Sequence, residues 1–82
     1  MSMTEVTLPS LGDDAGEEAT VSLFFREVGE EINEGDDLVE MVTEKATFTV
    51  PSPVTGRIAS IEAAEDDILK VGDVLVVVEV PD

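Results

Sequence analysis

Lys45 stands in the stretch VTEKATFTVPSPVTG, residues 42–56, where one run of strand-forming residues ends at Thr43 and another begins at Ala46. Only Glu44 and Lys45 are left to make the turn. Two-residue hairpin turns favour Asn-Gly or Asp-Gly, because those residues accept positive φ. Any other residue held there costs on the order of 1–3 kcal/mol. Local rules are broken most often at functional or strained sites. The residues therefore leave two readings of Lys45 open in equal measure, a solubilising surface amine and a functional amine displayed on a hairpin tip.

The other residue types narrow the chemistry. The chain has no cysteine and no histidine, which excludes disulfide frameworks, thiolate zinc sites, and nucleophilic catalysis by Cys or by a Ser-His pair. Sulfur redox chemistry would have to come from a group attached to the chain. No set of base, nucleophile and orienting group can be assembled, so the domain is expected to be a non-enzyme. The acidic pairs Asp13-Asp14, Glu30-Glu31 and Asp66-Asp67 lack EF-hand spacing and read as solvated loop faces, with no metal site expected. The glycines in VGEEINEGDD and LKVGDV lack P-loop spacing, and no helix follows them, so they read as turn residues. Phe24, Phe25 and Phe48 read as core.

Twenty acidic residues face four basic ones, Arg26, Lys45, Arg57 and Lys70, for a net charge of -16 and a pI near 4.1. This balance argues against nucleic acid or an anionic membrane as partner. It suits solubility, including adaptation to salt, or docking onto basic enzyme surfaces. No apolar stretch reaches membrane-spanning length, and the start MSMTEVTLPS lacks the regions of a secretory signal. A cytoplasmic domain of prokaryotic type, with no targeting segment, is expected. The 43% of hydrophobic residues fall in short patterned runs, which argues for a folded chain over a disordered one.

These runs are the elements that must position Lys45. Strands are expected near Glu5–Leu8, Ala19–Glu27, Leu38–Thr43, Ala46–Val50, Gly56–Glu62 and Val74–Val80, with a short one near Ile68–Lys70. Short strands with regular turn signals predict an all-β sandwich or flattened barrel, and the length predicts one domain with a modest core. After the tip, Ala46, Phe48 and Val50 alternate with Thr47 and Thr49, the period of a half-buried strand. Pro51 and Pro53 are expected to stop that strand, and Gly56 to free the backbone for the next.

A weak internal repeat organises the chain. Setting Val28–Lys45 beside Glu65–Asp82 aligns Ile32 with Leu69, Gly35 with Gly72, Asp36 with Asp73, Leu38 with Leu75 and Met41 with Val78; upstream, Val21 meets Ile58. Two such halves predict an approximate two-fold axis. Glu44-Lys45 then falls on Pro81-Asp82, which puts the tip and the C-terminus at opposite ends. A tether at the terminus would hold Lys45 outward. The same register sets Lys70 opposite Asn33, away from the tip, and makes it the lesser candidate.

Three segments, LPSLGDD (Leu8–Asp14), VGEEINEGDDLVEM (Val28–Met41) and, most specifically, TEKATFTVPSPVTG (Thr43–Gly56), carry a resemblance over the whole chain. The sequence resembles the lipoyl domain of the dihydrolipoamide acyltransferase component of 2-oxo acid dehydrogenase complexes, within the biotinyl/lipoyl carrier family. The resemblance implies a flattened β-barrel or sandwich of two four-stranded antiparallel sheets with quasi-two-fold symmetry. It implies lipoic acid joined by an amide to Lys45, with Glu44 and Ala46 as the flanking residues that are recognised. The implied role is a swinging arm. A thiamine-diphosphate-dependent 2-oxo acid decarboxylase loads the arm, an acyltransferase core passes the acyl group to coenzyme A, and a dihydrolipoamide dehydrogenase reoxidises it. A lipoate ligase or lipoyl/octanoyl transferase would attach the cofactor.

Residues 1–82 are read on this basis as a single lipoyl domain taken from the N-terminal part of a longer acyltransferase. Two departures stand out: Glu44 replaces the family's usual Asp, and Ala19 replaces a frequent glycine. The nearest alternative is a biotin carrier, which usually flanks its lysine with methionine on both sides, unlike Glu44 and Ala46. A glycine-cleavage carrier is longer and has helices that this chain cannot supply. An unmodified acidic interaction module is the alternative of a different class.

Overall fold

Short segments of apolar and threonine residues separated by Gly, Pro and acidic residues fold, in the computed structural model, which describes residues 1–11 and 16–81, into eight strands. In chain order they are β1 (Ser2–Thr7), β2 (Glu18–Phe24), β3 (Glu31–Ile32), β4 (Asp37–Val42), β5 (Thr47–Pro51), β6 (Gly56–Ile61), β7 (Ile68–Lys70) and β8 (Val74–Val80). Every pairing is antiparallel, in two four-stranded sheets of order β1-β8-β6-β3 and β5-β4-β2-β7. Their inner faces share one core, and the molecule measures 38 × 21 × 17 Å. Among the described residues there is no helix, and so none long and apolar enough to cross a membrane.

The repeat is a structural two-fold. Each sheet holds a central pair, β4-β2 or β8-β6, and each half lends its short strand to the other half's sheet: β3 pairs with β6, and β7 with β2. Hydrogen bonds repeat at the same offset. The Asn33 N–H donates to the Asp36 carboxylate at 3.1 Å and the Lys70 N–H to that of Asp73 at 2.8 Å. The Glu27 N–H donates to the Glu30 carboxylate at 2.7 Å and the Ala64 N–H to that of Asp67 at 2.9 Å. The acidic pairs Glu30-Glu31 and Asp66-Asp67 thus each place one carboxylate on a turn N–H. Asp13-Asp14 and the end of LPSLGDD lie outside the described residues.

Bulges explain a burial pattern that strict alternation forbids. Leu38 and Val39 are adjacent yet both buried, as are Leu75 and Val76. The pairing register skips Leu38 between Asp37↔Pro51 and Val39↔Val50, and skips Leu75 between Thr7↔Val74 and Val6↔Val76. A bulge puts two residues opposite one and re-aims a side chain. Here it turns an extra leucine into the core of each half.

Several expectations need correction. β3 was not expected as a strand. Its two residues fall below the length at which alternation shows. β5 ends at Pro51, as PSPVTG implies, one residue past the expected Val50, and the proline is tolerated because β5 is a sheet edge. Phe24 and Phe48 pack against the core, whereas Phe25 is 39% exposed just past the end of β2. Gly56 has ordinary φ, and what excludes a side chain there is the backbone of Glu79.

Candidate functional site

The hairpin of β4 and β5 carries Lys45 at its tip. β4 is a central strand whose inward residues Val39 and Met41 are fully buried, so the ribbon is anchored from below. β5 pairs with it through Met41↔Phe48 and Val42↔Thr47, with Val50 buried and Thr47 and Thr49 exposed, as the alternation predicts. Ala46 is exposed and precedes the strand. Glu44 and Lys45 are also exposed, and all three proposed recognition or attachment positions therefore face solvent together.

The turn is not the strained one expected. Among the described residues, the only non-glycine residue at positive φ is Asp66, so neither Glu44 nor Lys45 adopts the left-handed region. Thr43 supplies what Asn-Gly would otherwise provide. Its backbone N–H donates to the Ala46 carbonyl at 2.8 Å. Its hydroxyl oxygen accepts from the N–H of Lys45 at 3.3 Å and of Ala46 at 3.2 Å, and the hydroxyl lies 3.2 Å from the Ala46 carbonyl, to which it donates. Such a threonine turn lets a side chain close a bend without positive φ. The signal was present in the sequence, but Thr43 reads there as a strand residue.

A similar device ends the strand. Ser52, buried at 2% exposure, donates its hydroxyl to the Val54 carbonyl at 2.6 Å and accepts from the Val54 N–H at 3.3 Å. The motif PSPVTG is thus a turn closed by Ser52 and tied to the preceding loop, where the Ser52 N–H donates to the Asp36 carbonyl and the Thr55 hydroxyl accepts from the Glu34 N–H.

Two unlike clefts flank the tip. One, of about 720 Å³, is bordered by Glu17, Glu18, Thr20, Val42, Glu44 and Ile68 together with Thr43 and Lys45. Three of its lining residues, Val42, Thr20 and Ile68, form an uncharged row across β4, β2 and β7. The other, of about 300 Å³, lies between Pro9, Ser10 and Leu11 and the far side of the hairpin at Thr43, Ala46 and Phe48. Among the described residues no three carboxylates converge so as to hold a metal ion.

Lys70 is placed differently from its expected position. It pairs with Glu18 on edge strand β7, at the same end of the sheet as the tip, two strands away from β4 and outside both clefts. The turn that follows hands the chain to β8 beside Leu8, through Gly72 N–H to Leu8 carbonyl at 2.9 Å. β8 then runs away from the tip until Val80 pairs with Ser2. Ser2 and Val80 therefore lie at the end opposite Lys45.

A family model described as biotin-requiring enzyme matches residues 4–78. The dihydrolipoyllysine-residue succinyltransferase component of the 2-oxoglutarate dehydrogenase complex of Bartonella vinsonii subsp. berkhoffii is 42% identical over 76 residues, covering 93% of this chain and 18% of that protein. The dihydrolipoyllysine-residue acetyltransferase component of the pyruvate dehydrogenase complex of Corynebacterium glutamicum is 38% identical over 72 residues, 88% of this chain and 10% of that protein. The chain thus spans less than a fifth of the length of these relatives. Among solved structures, the lipoyl domain of the 2-oxoglutarate dehydrogenase complex from Azotobacter vinelandii superposes with a TM-score of 0.72 at 20% identity, covering 94% of this chain and 99% of that one. A single-chain long-chain acyl-CoA carboxylase superposes with a TM-score of 0.78 at 16% identity, over 98% of this chain and 7% of that one. At these identities the superpositions establish the fold.

Proposed function

The chain belongs to the biotin/lipoyl family, and from that membership we propose that it is a lipoyl carrier domain whose Lys45 bears lipoic acid in amide linkage. The observation that carries the proposal is the placement of Lys45. It is an exposed lysine on an anchored hairpin tip, at the end opposite Ser2 and Val80, in a chain whose curated relatives are named for a lipoylated lysine residue. Glu44 and Ala46 are the neighbours that an attaching enzyme, a lipoate ligase or a lipoyl/octanoyl transferase, would read.

The domain's own contribution is placement. A lipoyl group supplies the dithiolane chemistry, a supply the cysteine-free chain needs. The anchored hairpin presents Lys45 as an exposed residue at its tip, and the opposite placement of Ser2 and Val80 lets a tether swing the tip between sites. Such a tether raises the effective concentration of the carried group at each active site it can reach. The partners are a thiamine-diphosphate-dependent 2-oxo acid decarboxylase component, an acyltransferase core and dihydrolipoamide dehydrogenase, with the acyl group passing to coenzyme A. The domain performs no catalysis itself, forms the N-terminal part of a longer acyltransferase, and works in the cytoplasm.

Incubation of the 82-residue chain with lipoate ligase, ATP and lipoate is expected to add one lipoyl mass, measured on the intact protein. Lys45→Arg is expected to stay at the unmodified mass. An addition that persists in Lys45→Arg, or none in the parent chain, would sink the assignment. A parallel reaction with biotin ligase separates the two carrier types, and little biotin addition is expected, because Glu44 and Ala46 replace the methionines that flank a biotinylated lysine.

A further inference from the structure

We infer that the Thr43 hydroxyl is the positioning group of this site, holding the turn in the one conformation in which Lys45 is offered to the enzyme that modifies it; this rests on the carrier reading above. Glu-Lys has no intrinsic preference for a tight turn. Without a local device, the two residues between Thr43 and Ala46 would sample several bends, and the amine would be dispersed over as many directions. The hydroxyl removes that freedom by accepting from two successive N–H groups, those of Lys45 and Ala46, and donating to the Ala46 carbonyl. One of those donors is the backbone of the attachment residue itself.

Thr43 also borders both clefts, the larger one carrying Glu17, Glu18 and Glu44 with Lys45, and the smaller one Pro9, Leu11, Ala46 and Phe48. A partner gripping the hairpin from both sides would read a shape that exists only while the turn is closed. Thr43 is half-buried at the top of β4, directly after the exposed Val42. Its loss opens no core cavity, because the inward positions of the hairpin belong to Met41 and Phe48.

The expected signature is in binding. If an open turn must close before the ligase accepts it, apparent affinity falls by the fraction of closed molecules while the bound complex reacts as before. Thr43→Val keeps the shape and deletes the hydroxyl; Thr43→Ser keeps the hydroxyl. With lipoate ligase, Thr43→Val is expected to raise KM for the domain about ten-fold with kcat nearly unchanged, the scale of three hydrogen bonds each near the low end of the usual net worth, and Thr43→Ser is expected to stay near the parent. Amide hydrogen exchange on the unmodified chain is expected to quicken at Lys45 and Ala46 in Thr43→Val, with the Val74–Val80 ladder unaffected. A parental KM in Thr43→Val, failure of Thr43→Ser to restore it, or unchanged exchange at Lys45 and Ala46 would overturn the inference. Absence of any modification of the parent chain would instead remove the carrier reading, and the exchange comparison would still decide whether Thr43 orders the turn.

Discussion

Gly56 begins β6 opposite Ile32, and a Cβ added there would collide with the carbonyl oxygen of Glu79 and crowd the Val78 side chain. Backbone cannot give way as a flexible side chain can, so Gly56→Ala is expected to destabilise the chain by about 3 kcal/mol, read from denaturant midpoints. A loss under about 1 kcal/mol would show that β6 and β8 can separate at low cost. The same position shows where sequence reading reaches its limit. A glycine after PSPVT looks like a turn residue, and nothing local reveals that a strand 23 residues away passes against it. Thr43 failed to register for a related reason. Its place in the alternation was legible, but the bonds of its hydroxyl to Lys45 and Ala46 depend on the bend it creates.

Each half of the chain turns from its long strand to its short one through a left-handed residue, Gly29 after β2 and Asp66 after β6. The pair is equivalent down to its bonds: the Gly29 N–H donates to Ile58 and the Asp66 N–H to Val21, both at 2.8 Å. The halves have solved one problem with two residues. Gly29→Ala forces a Cβ into positive φ and is expected to cost about 1–2 kcal/mol. Asp66→Gly relieves a milder strain but adds freedom to the unfolded chain, so the terms nearly cancel and a change within about 0.5 kcal/mol is expected. Paired thermal melts check both, and equal losses would contradict the equivalence. The longer strands were legible because each is a run of mostly apolar residues and threonine bounded by Gly, Pro or acidic residues. β3 was not, although the repeat had already set Ile32 on Leu69, the middle residue of β7. A two-residue strand carries no period, and only its pairing with Arg57 and Gly56 makes it one.

Across the whole molecule, the exchange of β3 and β7 means that neither half can complete its sheet alone, which favours unfolding in a single step. Charge acts on that same step. With twenty acids against four bases, most carboxylates have no cation to meet, and of the pairs Arg26–Asp36 and Arg57–Glu31, both long at 3.8 Å, the first is half-buried and the second exposed. Such pairs contribute little. The net charge of -16 opposes compaction, and salt screens it. The melting temperature is therefore expected to rise by several degrees between about 20 mM and about 1 M sodium chloride, where the screening length falls from tens of ångströms to a few. A flat or falling melting temperature by circular dichroism would show that this repulsion does not limit the fold. Amidation of Lys45 removes one of the four cations, so the modified chain is expected to respond to salt slightly more steeply.

The pairing of Ser2 with Val80 makes the chain a loop closed at its base. An entry point and an exit point one strand apart are what a graft into another protein's surface turn requires. The whole domain could be spliced there as a cassette, its closed base replacing a few residues of the host. The host would then carry the hairpin of β4 and β5, with Lys45 exposed at its tip, at the end of the domain opposite the splice.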